Sequence, residues 1–350
     1  MSNKYVAYVA TYTRKDDHGI HVFDVDMENG RLEERGTVDV ANSSYVTISH
    51  NKKYLYSITD MGVVAFKILP DGNLEKINQA SINGMRGCYL STDYEDKYLF
   101  CAGYHDGKIT VLRLDPQTGA VGQVTDEVFH KGLGSVAERS FRPHISCVKM
   151  TRDNKYLCAA DLGIDYVNIY RLDHNRGTLK QVDIIRCELE SAPRHIQFSK
   201  DGRFMYVVCE LKNYVDVYSY REENDLPFFD HIQTINTSEK TSEQGVAACA
   251  LTISEDGRYL VASNAGENTV TIFEANEKTG KLTRILCLPI SGDYPKDSAL
   301  FPDNKHLVCL NHESGAMTFF TLDTKKKTLV MNGKEIAIKY ANCIAFRELA

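Results

Sequence analysis

Two kinds of position in this chain gather side chains able to do chemistry together. One lies just ahead of an apolar run: Gly84-Met85-Arg86-Gly87, Arg142-Pro143-His144, Ala192-Pro193-Arg194-His195 and Tyr294-Pro295-Lys296-Asp297. The other closes an apolar run: Ala10-Thr11-Tyr12-Thr13, Gly103-Tyr104-His105-Asp106, Asp161-Leu162-Gly163-Ile164-Asp165, Glu210-Leu211-Lys212-Asn213, Asn264-Ala265-Gly266 and Asn311-His312-Glu313. A carboxylate or imidazole held on a water molecule can take its proton, typically worth ~10²–10⁴-fold in rate. A guanidinium within hydrogen-bond reach can stabilise an oxygen that becomes anionic, on the order of 3 kcal/mol. Metal and cofactor chemistry finds no such support. There is no Cys-x-x-Cys, no His-x-x-x-His, no oxygen-rich calcium loop, no Gly-rich phosphate loop and no Gly-x-Ser-x-Gly elbow. We expect no metal and no cofactor.

These positions need a framework that repeats. Seven segments share an alternating aliphatic pattern: Ile20-His21-Val22-Phe23, Val63-Val64-Ala65-Phe66, Ile109-Thr110-Val111-Leu112, Val167-Asn168-Ile169-Tyr170, Val215-Asp216-Val217-Tyr218, Val270-Thr271-Ile272-Phe273 and Met317-Thr318-Phe319-Phe320. Their ends lie 43 to 58 residues apart. Six units carry an upstream turn such as Asp201-Gly202 or Asp153-Asn154, and four carry a downstream Gly-x-Leu such as Gly280-Lys281-Leu282. Four short antiparallel strands at a period near ~50 residues describe an all-β, seven-bladed β-propeller. We call the strands of each blade A to D, from the axis outward. The first unit lacks its own A strand; Tyr5-Val6-Ala7-Tyr8-Val9 serves as B, and Asn342-Cys343-Ile344-Ala345-Phe346 supplies the missing innermost strand. That pairing closes the ring and removes its open edges. One domain over 1–350 is expected. The loops before A and between B and C then open on one face, above which the longer segments 129–142 and 231–246 should hang.

Composition excludes other classes. Of 350 residues, 43% are hydrophobic and 25% charged, so a large core is available. Forty-one basic against forty-seven acidic residues leave a net charge of −6, which builds no field for nucleic acid or anionic lipid. Neither nucleic acid nor a membrane is an expected partner. No apolar run reaches the ~20 residues of a membrane span, and Met1-Ser2-Asn3-Lys4 leads into a strand, so a cytoplasmic location is expected. Ten cysteines stand singly and read as reduced and buried.

Several runs resemble the seven-bladed lactonase family, which includes bacterial 6-phosphogluconolactonases and fungal carboxy-cis,cis-muconate lactonising enzymes. They are Tyr8-Val9-Ala10-Thr11-Tyr12-Thr13, Pro143-His144, Ala160-Asp161-Leu162-Gly163-Ile164-Asp165, Pro193-Arg194-His195-Ile196-Gln197-Phe198-Ser199, Cys209-Glu210-Leu211, Ser263-Asn264-Ala265-Gly266 and Cys343-Ile344-Ala345-Phe346. The resemblance implies a hydrolase that opens a small-molecule sugar lactone, with His144, Arg194 and Glu210 as the active-site set. Arg194 would polarise the carbonyl, and either Glu210 or His144 would act on the water. Tyr12, Tyr104, His105, His195, Asn264, Lys296, Asn311 and His312 are the face's candidates for substrate contact. Plain strand alternation puts His195 on the side opposite Arg194.

Structural duties compete for the same residues: an Arg194–Glu210 ion pair, a His144 bond to a backbone carbonyl, and turn-capping by Asp161 and Asp165. The chain also departs from the family. Ala250 stands where an acid is expected, Ala265 where an arginine is, Ser146 for a second histidine and Lys296 for an arginine. A non-catalytic binding propeller and an enzyme for a different, uncharged lactone are therefore the alternative readings. Nothing in the sequence fixes an oligomeric state.

Overall fold

Period-two alternation between turn residues produces short strands, and the structure, a computed structural model describing residues 4–14, 17–134, 141–240 and 245–349, shows 29 of them among those residues. They form seven antiparallel sheets arranged as blades. Blade 4 is representative: Ile145–Met150, Tyr156–Asp161, Tyr166–Asp173 and Thr178–Arg186 pair in chain order. Blade 7 adds a two-residue strand, Ile336–Ala337, on its C strand Ala316–Asp323. Blade 1 is closed as the sequence requires. Ala341–Glu348 lies against Tyr5–Thr11, with Tyr5 opposite Glu348 and Ala10 opposite Cys343.

The A–B turns bear out their composition. Lys52, Asp96, Asn154, Gly202, Gly257 and Asn304, each the second residue of its predicted pair, have positive φ. The loop estimate needs correction, because strands Val121–Phe129 and Leu226–Asn236 take the first residues of both long segments. Residues 135–140 and 241–244 of those segments lie outside the described residues.

Apolar side chains fill the seams between blades. Separate buried clusters join blades 1 and 2, 2 and 3, 5 and 6, 6 and 7, and 7 and 1, and one larger cluster joins blades 3, 4 and 5. A second contact recurs toward the A–B turn side. The first residue of a B strand lies beneath the C–D turn of the next blade, as Tyr54 does under Gly119 and Tyr98 under Gly177. The Tyr54 and Tyr98 hydroxyls donate to the Gln117 and His174 carbonyls of those turns. All ten cysteines are free thiols, seven of them buried.

Gly280 shows how tightly this seam is set. Its φ is +69°, and a Cβ there would lie 2.2 Å from the Phe204 ring. Gly280→Ala should therefore cost about 2–4 kcal/mol, from left-handed backbone strain plus overpacking. Urea unfolding should show it as a lower midpoint at unchanged slope.

Candidate active site

The inner strands do not alternate cleanly, and the break creates the site. In blade 5, Pro193 pairs with Cys209 and His195 with Val208, so Arg194 is one extra residue. Lys296 is extra in blade 7, Ser146 in blade 4 and Asn342 in blade 1, and blade 6 shifts between Ala248 and Leu251. A bulge of this kind leaves one residue unpaired and re-aims its side chain. Arg194, Lys296 and Asn342 accordingly line one axial cavity of about 380 Å³. The bulge also overturns the alternation argument for His195, because Arg194 and His195 both line that cavity.

Further lining comes from Tyr12, Arg86, Tyr104, His105, Glu210 and Asp297. Glu210 is 2% exposed at the end of its B strand, and one of its oxygens accepts a hydrogen bond from the Arg194 guanidinium. Burial works against the Arg194 charge, yet the Glu210 carboxylate more than offsets it and holds the arginine firmly protonated. The Arg194 Nε–H is buried without a hydrogen-bond partner, and so are both amide atoms of Asn342, a residue only 7% exposed. Buried polar groups left unmatched are costly. Arg194 and Asn342 thus bring polar atoms without a protein partner to the lining of one cavity. Arg86 reaches the wall while bonded to Asp60 at 3.2 Å, with its guanidinium over the Tyr12 ring.

Other expected residues stand elsewhere. His144 is 4% exposed and is not among the lining residues. Its Nδ1–H donates to the Tyr104 carbonyl at 2.6 Å, and its ring stacks on Tyr104 at 4.4 Å. Asn264 and Asn311 are fully buried within their blades, their Nδ2 groups donating to Thr269 and Thr271 and to Thr318. His312 is edge-on to Tyr12, its Nδ1 3.3 Å from the Ala341 carbonyl, and burial lowers its pKa. His195 stays neutral because burial, then Arg194, push its pKa well below the usual value; its Nδ1 accepts from the Leu251 N–H. Asp161 and Asp165 cap backbone: Asp161 accepts from His144 and Gly163, Asp165 from Glu190 and Ala192. Ala250 and Ala265 are buried and do not line the cavity. Ser146 donates to the Arg194 carbonyl at 2.9 Å and so fixes the bulge that carries the guanidinium.

Sequence reasoning gives no role to Arg86 and Asp297, although both stand in the runs ahead of the A strands, and places Asn342 only in the closing strand. Asp297 directly follows the predicted Lys296. It is 7% exposed, and its oxygens accept from the Ser298 N–H at 2.9 Å and the Ile344 N–H at 3.0 Å. Burial raises its pKa to about 7. The one described group of three potential metal ligands outside the cavity, Asp93, Glu95 and His174, sits at an A–B turn, where Asp93 accepts from the Lys97 and Tyr98 N–H groups.

A seven-bladed propeller with an arginine–glutamate pair and unmatched donors in an axial cavity defines the class. The chain matches the family described as lactonase, 7-bladed beta-propeller, over residues 6–346, and belongs to it. It is 29% identical over 349 residues to the 6-phosphogluconolactonase of Bacillus subtilis (strain 168), covering 98% of each chain. It is 30% identical over 345 residues to the 6-phosphogluconolactonase of Formosa agariphila, covering 95% of this chain and 96% of that one. The solved structure of the periplasmic gluconolactonase of Pseudomonas aeruginosa superposes with a TM-score of 0.90 at 25% identity, covering 99% of this chain and 100% of that one. Among the described residues no helix is long and apolar enough to cross a membrane.

A raised carboxyl pKa has a stability signature. The folded state favours protonated Asp297, whereas the unfolded chain releases that proton near the ordinary 3.8. The contribution of Asp297 to stability should be greatest below that value, fall as pH rises toward about 7, and level off beyond. Urea unfolding at pH 5 and pH 8 should show Asp297→Asn losing on the order of 2–4 kcal/mol of that pH dependence.

Proposed function

We propose that this chain hydrolyses a sugar lactone at the axial cavity, with gluconolactone or its 6-phosphate as the substrate type. The carrying observation is the partly buried Arg194, ion-paired to Glu210, on the lining of a cavity that Asn342 also lines, with the Arg194 Nε–H and the Asn342 amide unmatched. A lactone offers two acceptor oxygens on one carbon, and its carbonyl oxygen gains negative charge as water adds. Arg194 supplies charge and donors where that charge develops, in a partly desolvated site where such groups act most strongly. Glu210 fixes the guanidinium's plane and keeps it charged. His144 keeps Tyr104 on the cavity wall and acts as a positioning residue. A cavity of about 380 Å³ suits one sugar-sized ligand.

No metal enters the reaction proposed here. The carboxylates on the lining are Glu210 and Asp297, while Arg86, Arg194 and Lys296 bring three cationic groups to the same space. A divalent ion would meet repulsion from those cations and a carboxylate already bonded to arginine. Arg86 and Lys296 bring to the cavity the positive charge that an anionic substituent such as a phosphate would meet.

The test is a panel of gluconolactone, its 6-phosphate and unrelated lactones, read against spontaneous opening. Wild type should accelerate opening, unchanged by chelator, and Arg194→Met should lower kcat/KM by about 10²–10³-fold. No acceleration by protein that circular dichroism shows to be folded would end the lactonase reading. Lys296→Met should raise KM several-fold for the phosphorylated lactone and leave the neutral one unchanged. Equal effects on both would deny Lys296 a phosphate.

A further inference from the structure

We propose that Asp297, at the junction of blades 7 and 1, is the general base that activates the attacking water. The proposal rests on the lactonase reading and names a part of its machinery. Glu210 is the other carboxylate on the cavity lining, and it is bonded to Arg194. A base must present a lone pair toward a water in the substrate's space. Asp297 lines the same cavity as Arg194, on the strand whose bulge aims Lys296 there.

Its two recorded hydrogen bonds both come from backbone N–H groups, one to each oxygen. They fix the carboxylate's plane and occupy one acceptor site on each oxygen. An ionised carboxylate has about four such sites, so acceptor capacity remains for a water. Among the titratable groups around it are the Cys309 thiol on the B strand of blade 7, the Cys343 thiol on the inner strand of blade 1 and the Tyr45 phenol, while Lys296, next to it in the chain, and Arg194 line the same cavity. Burial pushes the Cys309 thiol up to about 12 and raises the Cys343 and Tyr45 pKa values well above their usual ones, so all three are uncharged at neutral pH. Burial raises the carboxyl's pKa to about 7, where an acid–base group works best at neutral pH.

The step balances without a co-reactant. The Asp297 carboxylate takes a proton from water as the water oxygen bonds to the lactone carbonyl carbon. The carbonyl π pair moves to the oxygen facing Arg194. When that pair returns, the ring C–O bond breaks, and the leaving ring oxygen takes the proton back from Asp297. The product is the open hydroxy acid, and the base is regenerated.

The experiment has two arms. In wild type, kcat/KM should rise with pH through a midpoint near 7. Asp297→Asn should lose about 10²–10⁴-fold and that rising limb, while Arg194→Met keeps the limb at a lower rate. Because removing the carboxylate could disturb ring closure, Asp297→Ala is assayed with added formate, and recovery of at least ten-fold is expected of a missing base. A rising limb that persists in Asp297→Asn, or no recovery by formate in folded Asp297→Ala, overturns the proposal.

The second arm needs no turnover: carboxyl-¹³C NMR of aspartate-labelled protein, with and without gluconate. One signal titrating near neutral pH, absent from Asp297→Asn and displaced by gluconate, is expected. A signal with an ordinary midpoint, or one indifferent to gluconate, refutes the base. Absent turnover with that signal intact would instead refute the lactonase reading.

Discussion

One extra residue in each of the inner strands of blades 1, 4, 5 and 7 is the constraint on which the site depends. A propeller's inner strands, if perfectly alternating, would send every second side chain to the blade seams and leave the axis to whatever remained. The bulges at Arg194, Lys296 and Asn342 break that alternation at the mouth of the channel. Each inserts a side chain into space shared by several blades without lengthening the partner strand. Arg194 and His195 can therefore serve one cavity although they are sequence neighbours. Ser146, the extra residue of blade 4, turns to the Arg194 carbonyl and braces the adjacent bulge. Four irregularities that weaken their ladders locally thus become one positioned constellation.

The electrostatics follow from that geometry. Arg86, Arg194 and Lys296 enter the cavity of a chain whose net charge is −6, so the cationic character is local. Bringing a guanidinium into partly buried space is expensive unless it is paired. Glu210, at the end of its B strand and opposite the Arg194 bulge, provides the partner. The pair uses some of the guanidinium's donors and leaves Nε–H unmatched.

The blades were legible because their causes are local. Alternation of period two and turns that tolerate positive φ fall within a few residues, and they placed every blade and the closing strand. The site was legible where it rode on loops: Tyr12, Tyr104, His105, Arg194, His195, Glu210 and Lys296 all reach the cavity. It failed where residue type outweighed environment. Asn264 and Asn311 look like ligand-binding amides, but hydroxyls five and seven residues downstream, at Thr269 and Thr318, engage them inside the blade. Asn342, passed over as part of the closing strand, has no such neighbour and keeps both amide atoms unmatched. Asp297 stood in a run the sequence marks, but its raised pKa had no local signal, since it comes from burial near residues such as Tyr45 and Cys343, remote from it along the chain.

Ring closure and site assembly are consequently one event. Tyr12 lies near the start of the described chain and Asn342 near its end, and both enter the cavity only because Tyr5–Thr11 and Ala341–Glu348 pair. Ile344, on that closing strand, donates to the Asp297 carboxylate of blade 7. The same hydrogen bond that holds blade 7 to blade 1 also favours the charged carboxylate, and so opposes the rise that burial imposes. Were the closing strand to part from blade 7, Asp297 would lose that donor and gain water. Asn342 would leave the cavity at the same moment. A propeller whose ends met elsewhere in the ring would keep its blades but not this arrangement, because the residues that complete the cavity are carried by the joint itself.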